Sequence, residues 1–462
     1  MSLNSILRTG TAVALLFMTA GLAQAQSTGP IAPIGPVQSR QLPIPAARGI
    51  DVEPGSPQLR SDTHTLASIE TLGVGTVGAL TNLFDPSFRF AQSGESSSTA
   101  ASNSMSSLGM NLAFDRNSTR SRLTGFYRGA KVLYYPNSAA NAAYHNVGVA
   151  EELHLNRWVF RLREDLLSSP EANPDGTDIG GLVLVGGANI LNGLQPAAAT
   201  GDTILTQPTK RLRSTTSGEI NYYLSHRSIL TVAGYYASLT FPNGGFVDTH
   251  RIAGRAGYDY LLSPRNAIGL IYDHSRTDFT GVSSRLRTDA VQLAFGRRVT
   301  GRLAFQMMGG PQQITFGTGT RQLVWTVSDA ISYQTRRTQY SLTYAHTSSG
   351  GSGVLAGASN HTITAGLRHA LTQWWSASTN VGYSLDNALA PASGTTSHFR
   401  SWYGSATLER AIGRHLHFSM NYGFQRQNTG AGACPVAGCG STASRQTAGV
   451  TLEWHPFSIA AR

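Results

Sequence analysis

The stretch LHFSMNYGFQRQ, residues 416–427, alternates apolar and polar side chains almost without a break. Leu416, Phe418, Met420, Tyr422 and Phe424 interleave with His417, Ser419, Asn421, Gly423 and Gln425. Successive side chains of an extended chain point to opposite faces, so this segment is a strand with one oily and one wet face. Two architectures use such a strand in opposite senses. A soluble sandwich buries the oily face in its core, whereas a membrane barrel turns it to lipid and keeps the polar face for its lumen. The rest of the chain has to choose between them.

From residue 104 the same alternation recurs, for example at Leu108/Met110/Leu112/Phe114, Trp158/Phe160/Leu162/Leu166, Leu323/Trp325/Val327/Ile331/Tyr333 and Val450/Leu452/Trp454. The opposite registers carry mostly Ser, Thr, Gly, Asn, Gln and Arg, and helical signals are scarce. The connections are more informative than the strands. Short turns at 115–118, 156–157, 225–228, 263–266, 300–302, 335–337, 372–373 and 411–415 alternate with longer links. Among those links are YPNSAANA, FPNGGF, TDFTGVSS, GGPQQITFGTG and the segment from Ser169 to Pro208. Short and long connections in strict alternation mark a transmembrane barrel, with tight periplasmic turns and larger extracellular loops. The predicted fold is therefore all-β, a transmembrane antiparallel up-and-down barrel. Seventeen strands are read from residue 104, and parity requires one rising strand before them, within 66–93, giving about eighteen; a miscounted hairpin would make sixteen.

Composition agrees. Only 13% of the 462 residues are charged, where soluble globular chains carry about a quarter. Arg8, an apolar run from Thr11 to Leu22 and the sequence Ala23-Gln24-Ala25 describe a secretory signal peptide over residues 1–25. No later segment approaches twenty consecutive apolar residues, so a membrane-bound mature chain has to be a closed barrel. Residues 26–64 are Pro-rich and read as a periplasmic tether, residues 65–103 as a Gly/Ser-rich lead-in holding the first strand, 104–457 as the barrel and 458–462 as a tail. Cys434 and Cys439 are the two cysteines, and in an exported chain their spacing suggests a disulfide closing a small loop. Gly73, Gly75 and Gly78 have the spacing of a dinucleotide-binding turn, but a Pro-rich tether precedes them and the chain is exported, so the match is read as incidental.

An export signal, a Pro-rich N-terminus and some 350 residues of hairpins such as HLHFSMNYGFQRQ make the chain resemble the broad class of outer-membrane β-barrel proteins labelled porins. That resemblance implies a passive channel or a structural barrel and brings no residue-level site. The candidate residues come instead from the polar register. Arg122, Arg128, Arg161, Arg163, Arg251, Arg255, Arg298 and Arg368 are expected in the lumen, where they outnumber acids such as Asp165 and Asp259 and would favour anions. The segment 169–208 is the candidate constriction. Three acids, Glu151, Glu164 and Asp329, fall on the oily register, an expensive place for a carboxylate.

Other functions find less support. Asp273, His274 and Ser275 are adjacent, but neighbours on a strand point apart, and no nucleophile elbow or zinc pair occurs in the mature chain. The expectation is no enzyme, no cofactor, no metal and no nucleic-acid partner. The expected partners are outer-membrane lipid, with a homo-oligomer and a periplasmic partner of the tether left open. A non-conducting structural or exopolysaccharide-export barrel is the alternative function, and an outer-membrane lipid hydrolase ranks below it.

Overall fold

Hairpins that alternate in this way can satisfy every backbone group only by closing on themselves, and the computed structural model shows that closure. The structure describes residues 83–98, 102–118, 120–135, 141–170, 210–242, 247–263, 265–280, 285–300, 302–317, 319–335, 337–349, 357–372, 374–389, 398–413, 415–429, 442–456 and 459–460. The expected signal peptide, the tether, the Cys434–Cys439 pair and most of the 169–208 segment lie outside these residues.

The strands are β1 (Leu83–Ser97), β2 (Asn103–Asn117), β3 (Ser121–Tyr135), β4 (Ala142–Leu155), β5 (Trp158–Pro170), β6 (Lys210–Tyr223), β7 (Ser228–Thr240), β8 (Thr249–Ser263) and β9 (Asn266–Phe279). They continue as β10 (Arg285–Arg298), β11 (Leu303–Phe316), β12 (Thr320–Gln334), β13 (Thr338–Ser349), β14 (Ala358–Ala370), β15 (Trp375–Ala388), β16 (His398–Ile412), β17 (Leu416–Thr429) and β18 (Ala443–Trp454). Each pairs antiparallel with its sequence neighbour. β1 pairs with β18 from Phe88↔Trp454 to Ser97↔Arg445 and so closes an eighteen-stranded barrel. A two-residue strand, β19 (Ile459–Ala460), adds to the base of β1 through Leu83 and Phe84, where the sequence reading had only a tail. The strand required by parity is β1.

The barrel is inverted relative to a soluble fold. Large apolar side chains stand on the outside, with Leu108, Leu293, Leu323 and Trp325 each at least 66% exposed. Beneath the wall, the most buried residues include Thr231, Asn221, Asp386 and Ser401. In the opening stretch, Phe418, Met420 and Tyr422 pair with other outward residues, while Ser419, Asn421 and Gln425 face inward. Strands of 12 to 15 residues exceed the roughly 9–11 that cross a bilayer.

Aromatic rings mark both edges of the oily belt. At the short-turn end Trp158 lies 4.4 Å from Tyr222, Phe88 6.0 Å from Trp454 and Tyr333 6.1 Å from Tyr340. Toward the other end, outward tyrosines bond a polar side chain on the next strand: Tyr127 to His145, Tyr236 to His250, Tyr344 to His361 and Tyr272 to Asp289. Such rings belong at membrane–water interfaces. The doubled tyrosines of the sequence divide between faces: Tyr135 and Tyr236 are outward, whereas Tyr134 and Tyr235 point in.

One link was misread. GGPQQITFGTG looks like a long loop, but β11 runs through it to Phe316 and turns on Gly317 and Gly319, both at positive φ. The Gly-Gly-Pro run leaves its trace in the ladder. Pairing of β10 with β11 skips from Ala290↔Gln312 to Leu293↔Gly309, since Pro311 has no N–H to donate. At Gly310 a Cβ would come within 1.9 Å of the Val291 carbonyl oxygen, so only glycine fits this approach.

Candidate functional site: the inner wall

Alternation puts one residue in two on the inner wall, and ladder register decides which of them meet across strands. All eight predicted arginines fall on inward registers. The side chain of Arg298 lies outside the described residues.

Four of the eight are held by carboxylates. Arg122 meets Asp115 at 2.8 Å, Arg255 meets Asp273 at 2.5 Å, and Arg163 pairs with Asp165 along its own strand. Arg161 lies between Glu152 at 3.0 Å and Glu219 at 2.8 Å, with its side chain only 8% exposed. The network extends to the neighbouring strand. Asn221 donates to Glu219 at 2.6 Å, and Thr231 donates to Asn221 at 2.7 Å. This chain of bonds, charge-assisted as far as Asn221 and neutral from there to Thr231, ties β4, β5, β6 and β7 together.

The other three differ in setting. Arg128 lies over the Phe126 ring at 5.4 Å, a cation–π contact. Arg368 reaches Glu409 only at 4.0 Å and is 54% exposed. Arg251 donates to Ser275 at 3.2 Å and lies 5.6 Å from the Tyr235 ring, with no ion pair among the described residues and a buried Nε without a partner.

The expected excess of lumen arginine shrinks once cross-strand partners are known. Asp115, Glu152, Glu219 and Asp273 join Asp165 and Asp259 inside, and Glu95 holds Arg445 through two bonds of 2.8 and 3.1 Å. The sequence reading also passed over Arg211 and Arg213, which share the inward register of β6. The alternation Arg211-Leu212-Arg213 was the signal for them.

The wall is not polar throughout. At the long-loop end Phe279, Leu286 and Ile314 form an inward apolar cluster with Val247, Phe316, Val324 and Leu389 against it. Met105, Val132 and Tyr134 form a second.

Among the described residues, no arrangement in the wall brings together a hydrolytic triad or a metal-ligating group. Asp273 and Ser275 face in and His274 out, as their adjacency predicts. His274 bonds Asp289 at 2.7 Å. His346 lies 3.1 Å from Ser359 Oγ and stacks on His361, but no carboxylate orients it among the described residues. Nor does any group of three metal-ligating side chains converge there. Glu151, Glu164 and Asp329 do lie on the outward register.

No protein-family model matches the sequence, and no curated protein matches it. Among solved structures the chain is similar to Pseudomonas aeruginosa OccK2 (OpdF) in complex with glucuronate, at 11% identity over 81% of this chain and 98% of that one, with a TM-score of 0.42. It is similar to P. aeruginosa OpdK with vanillate at 10% identity, over 81% and 99%, with a TM-score of 0.41. P. aeruginosa OprD follows at 8% identity, over 83% and 98%, with a TM-score of 0.40. The barrel rests on its own strand ladder, independently of these likenesses: it is a closed, eighteen-stranded barrel of the outer-membrane kind, oily outside and mostly polar within.

Proposed function

We propose that the protein is an outer-membrane channel through which small hydrophilic solutes diffuse, with a bias toward anions. The observation that carries this reading is the inverted polarity of a closed eighteen-stranded wall. A barrel of sixteen to eighteen strands encloses an aqueous channel unless something fills it. Fixed charge on the wall then sets which ions pass. Four of the eight predicted arginines brace carboxylates, so the bias is assigned first to Arg251 and then to Arg368, whose carboxylate lies at 4.0 Å.

Liposome swelling tests the proposal. Vesicles holding the refolded protein should swell in small neutral sugars and faster in anionic ones of similar size. Arg251→Gln should slow the anionic sugars and leave the neutral ones unchanged. Equal loss for both would assign Arg251 to the wall's integrity and not to selectivity. The inward apolar clusters favour one alternative, a barrel narrowed at its long-loop mouth that serves a structural or export role. It predicts no swelling in either sugar.

A further inference from the structure

Eight short turns join the strands at one end of the barrel, and their residues are strongly one-sided in charge. Arg120, Arg157, Arg227, Arg265, Arg302 and Arg337 lie in six of them, and the sequence puts Arg414 in a seventh, between Gly413 and His415. Between the strand ends none of these turns contains an acid, whereas in sequence the acids of the connecting segments, such as Asp202 and Asp248, all belong to the longer links. The six arginines are exposed and make no ion pair among the described residues.

A second observation concerns direction. Arg116, Arg297 and Arg410 stand at the same end on outward registers, are exposed, and have no ion pair among the described residues. Arg410 lies over Trp375 at 5.2 Å, on the lipid side of the wall. The outward acids Glu151, Glu164, Asp278, Asp289 and Asp329 lie deeper in the belt or at the far end. Immediately inside the turns runs the aromatic ring: Trp158 follows Arg157 directly, and Tyr340 lies near Arg337. Side chains just beyond such a ring lie at the depth of lipid head groups, where guanidinium matches phosphate in shape and charge.

We infer that this short-turn rim is a binding surface for anionic phospholipid head groups, a basic collar that gathers negatively charged lipid around the barrel. The inference rests on the membrane-barrel reading and not on conduction. Outward arginines favour lipid over the pore mouth as the occupant, because their charge is turned away from the lumen. Basic side chains near an anionic membrane surface each contribute a modest, salt-screened attraction.

The test is lipid selectivity. The full-length protein is reconstituted in mixed vesicles, and electron spin resonance measures how spin-labelled phosphatidylglycerol and phosphatidylcholine partition into the immobilised shell around the barrel. The wild-type shell should enrich phosphatidylglycerol by about fivefold, and raising salt should erode that enrichment. Replacing Arg116, Arg120, Arg157, Arg227, Arg265, Arg297, Arg302, Arg337 and Arg410 with Gln should remove most of that enrichment, the remainder resting on outward bases toward the far end such as Lys131, Arg321, Arg400 and Arg426, with circular dichroism confirming the barrel. Replacing Arg276, Arg285 and Arg287 at the far end should leave most of it. Equal partition in the wild type, or enrichment that survives high salt, would overturn the inference whether or not the ninefold variant folds. Unchanged enrichment in a folded ninefold variant would overturn it too. A barrel that conducts nothing but keeps the enrichment would refute the channel proposal alone.

Discussion

Arg161 carries two carboxylates at once, and its position shows what the inner wall asks of a charged side chain. Removing it leaves Glu152 and Glu219 facing each other with little solvent. Arg161→Ala should destabilise the folded barrel by roughly 2–4 kcal/mol, near the lower part of the range for a broken buried pair, because lumen water relieves some of the repulsion. Urea unfolding in detergent checks this, and adding Glu219→Gln should recover part of the loss. The inward placement of Arg161 was legible in the sequence, since RWVFRLRED alternates cleanly. Its partners were not. Glu219 is 58 residues away, and which residues face each other is set by ladder register, which no local window records. For that reason alternation points the eight arginines inward, while the particular carboxylates that hold Arg122, Arg161, Arg163 and Arg255 come from the folded structure. Phe126 and Phe279 show that an oily side chain does not by itself mark the lipid face, since the ladder turns both inward.

Between strands, the critical seam is the one joining the first strand to the last, because it alone lacks a hairpin to enforce it. His455, just past the end of β18, donates across this seam to Asp85 of β1 at 3.0 Å and lies 3.6 Å from Glu453. His417 from β17 approaches its ring at 5.1 Å, and the Nδ1 of His415 bonds its carbonyl oxygen. Burial alone would lower the His455 pKa, but the bond to Asp85 and the charge of Glu453 outweigh it and raise the value above that of a free histidine. A raised folded value means that protonation and folding favour each other. The clamp's contribution is then complete below about pH 6.5 and disappears as the pH climbs through the raised value. Denaturant titrations at a series of pH values should show wild type losing stability in that window relative to His455→Gln. Parallel curves would show that the clamp is not ionic. Parity in the sequence demanded β1, because a last strand ending at the short-turn side needs a first one rising from it. The β11 run escaped for a local reason: Gly309-Gly310-Pro311 has the composition of a breaker, and it is the close approach to Val291 that makes it a strand.

At the scale of the molecule, the sequence supports the architecture better than the function. Period-two alternation, scarce charge and alternating connection lengths each point to the same closed wall, and the structure returns eighteen strands. Whether the enclosed space conducts depends on how the inward apolar clusters and the connecting links sit over the mouth, which alternation does not encode. The most direct measurement is single-channel conductance of the refolded protein in a planar bilayer, with a salt gradient across it. An anion-biased channel gives discrete steps and a reversal potential of the anion-selective sign, reduced by Arg251→Gln. Silence from a barrel shown to be folded and inserted would contradict it.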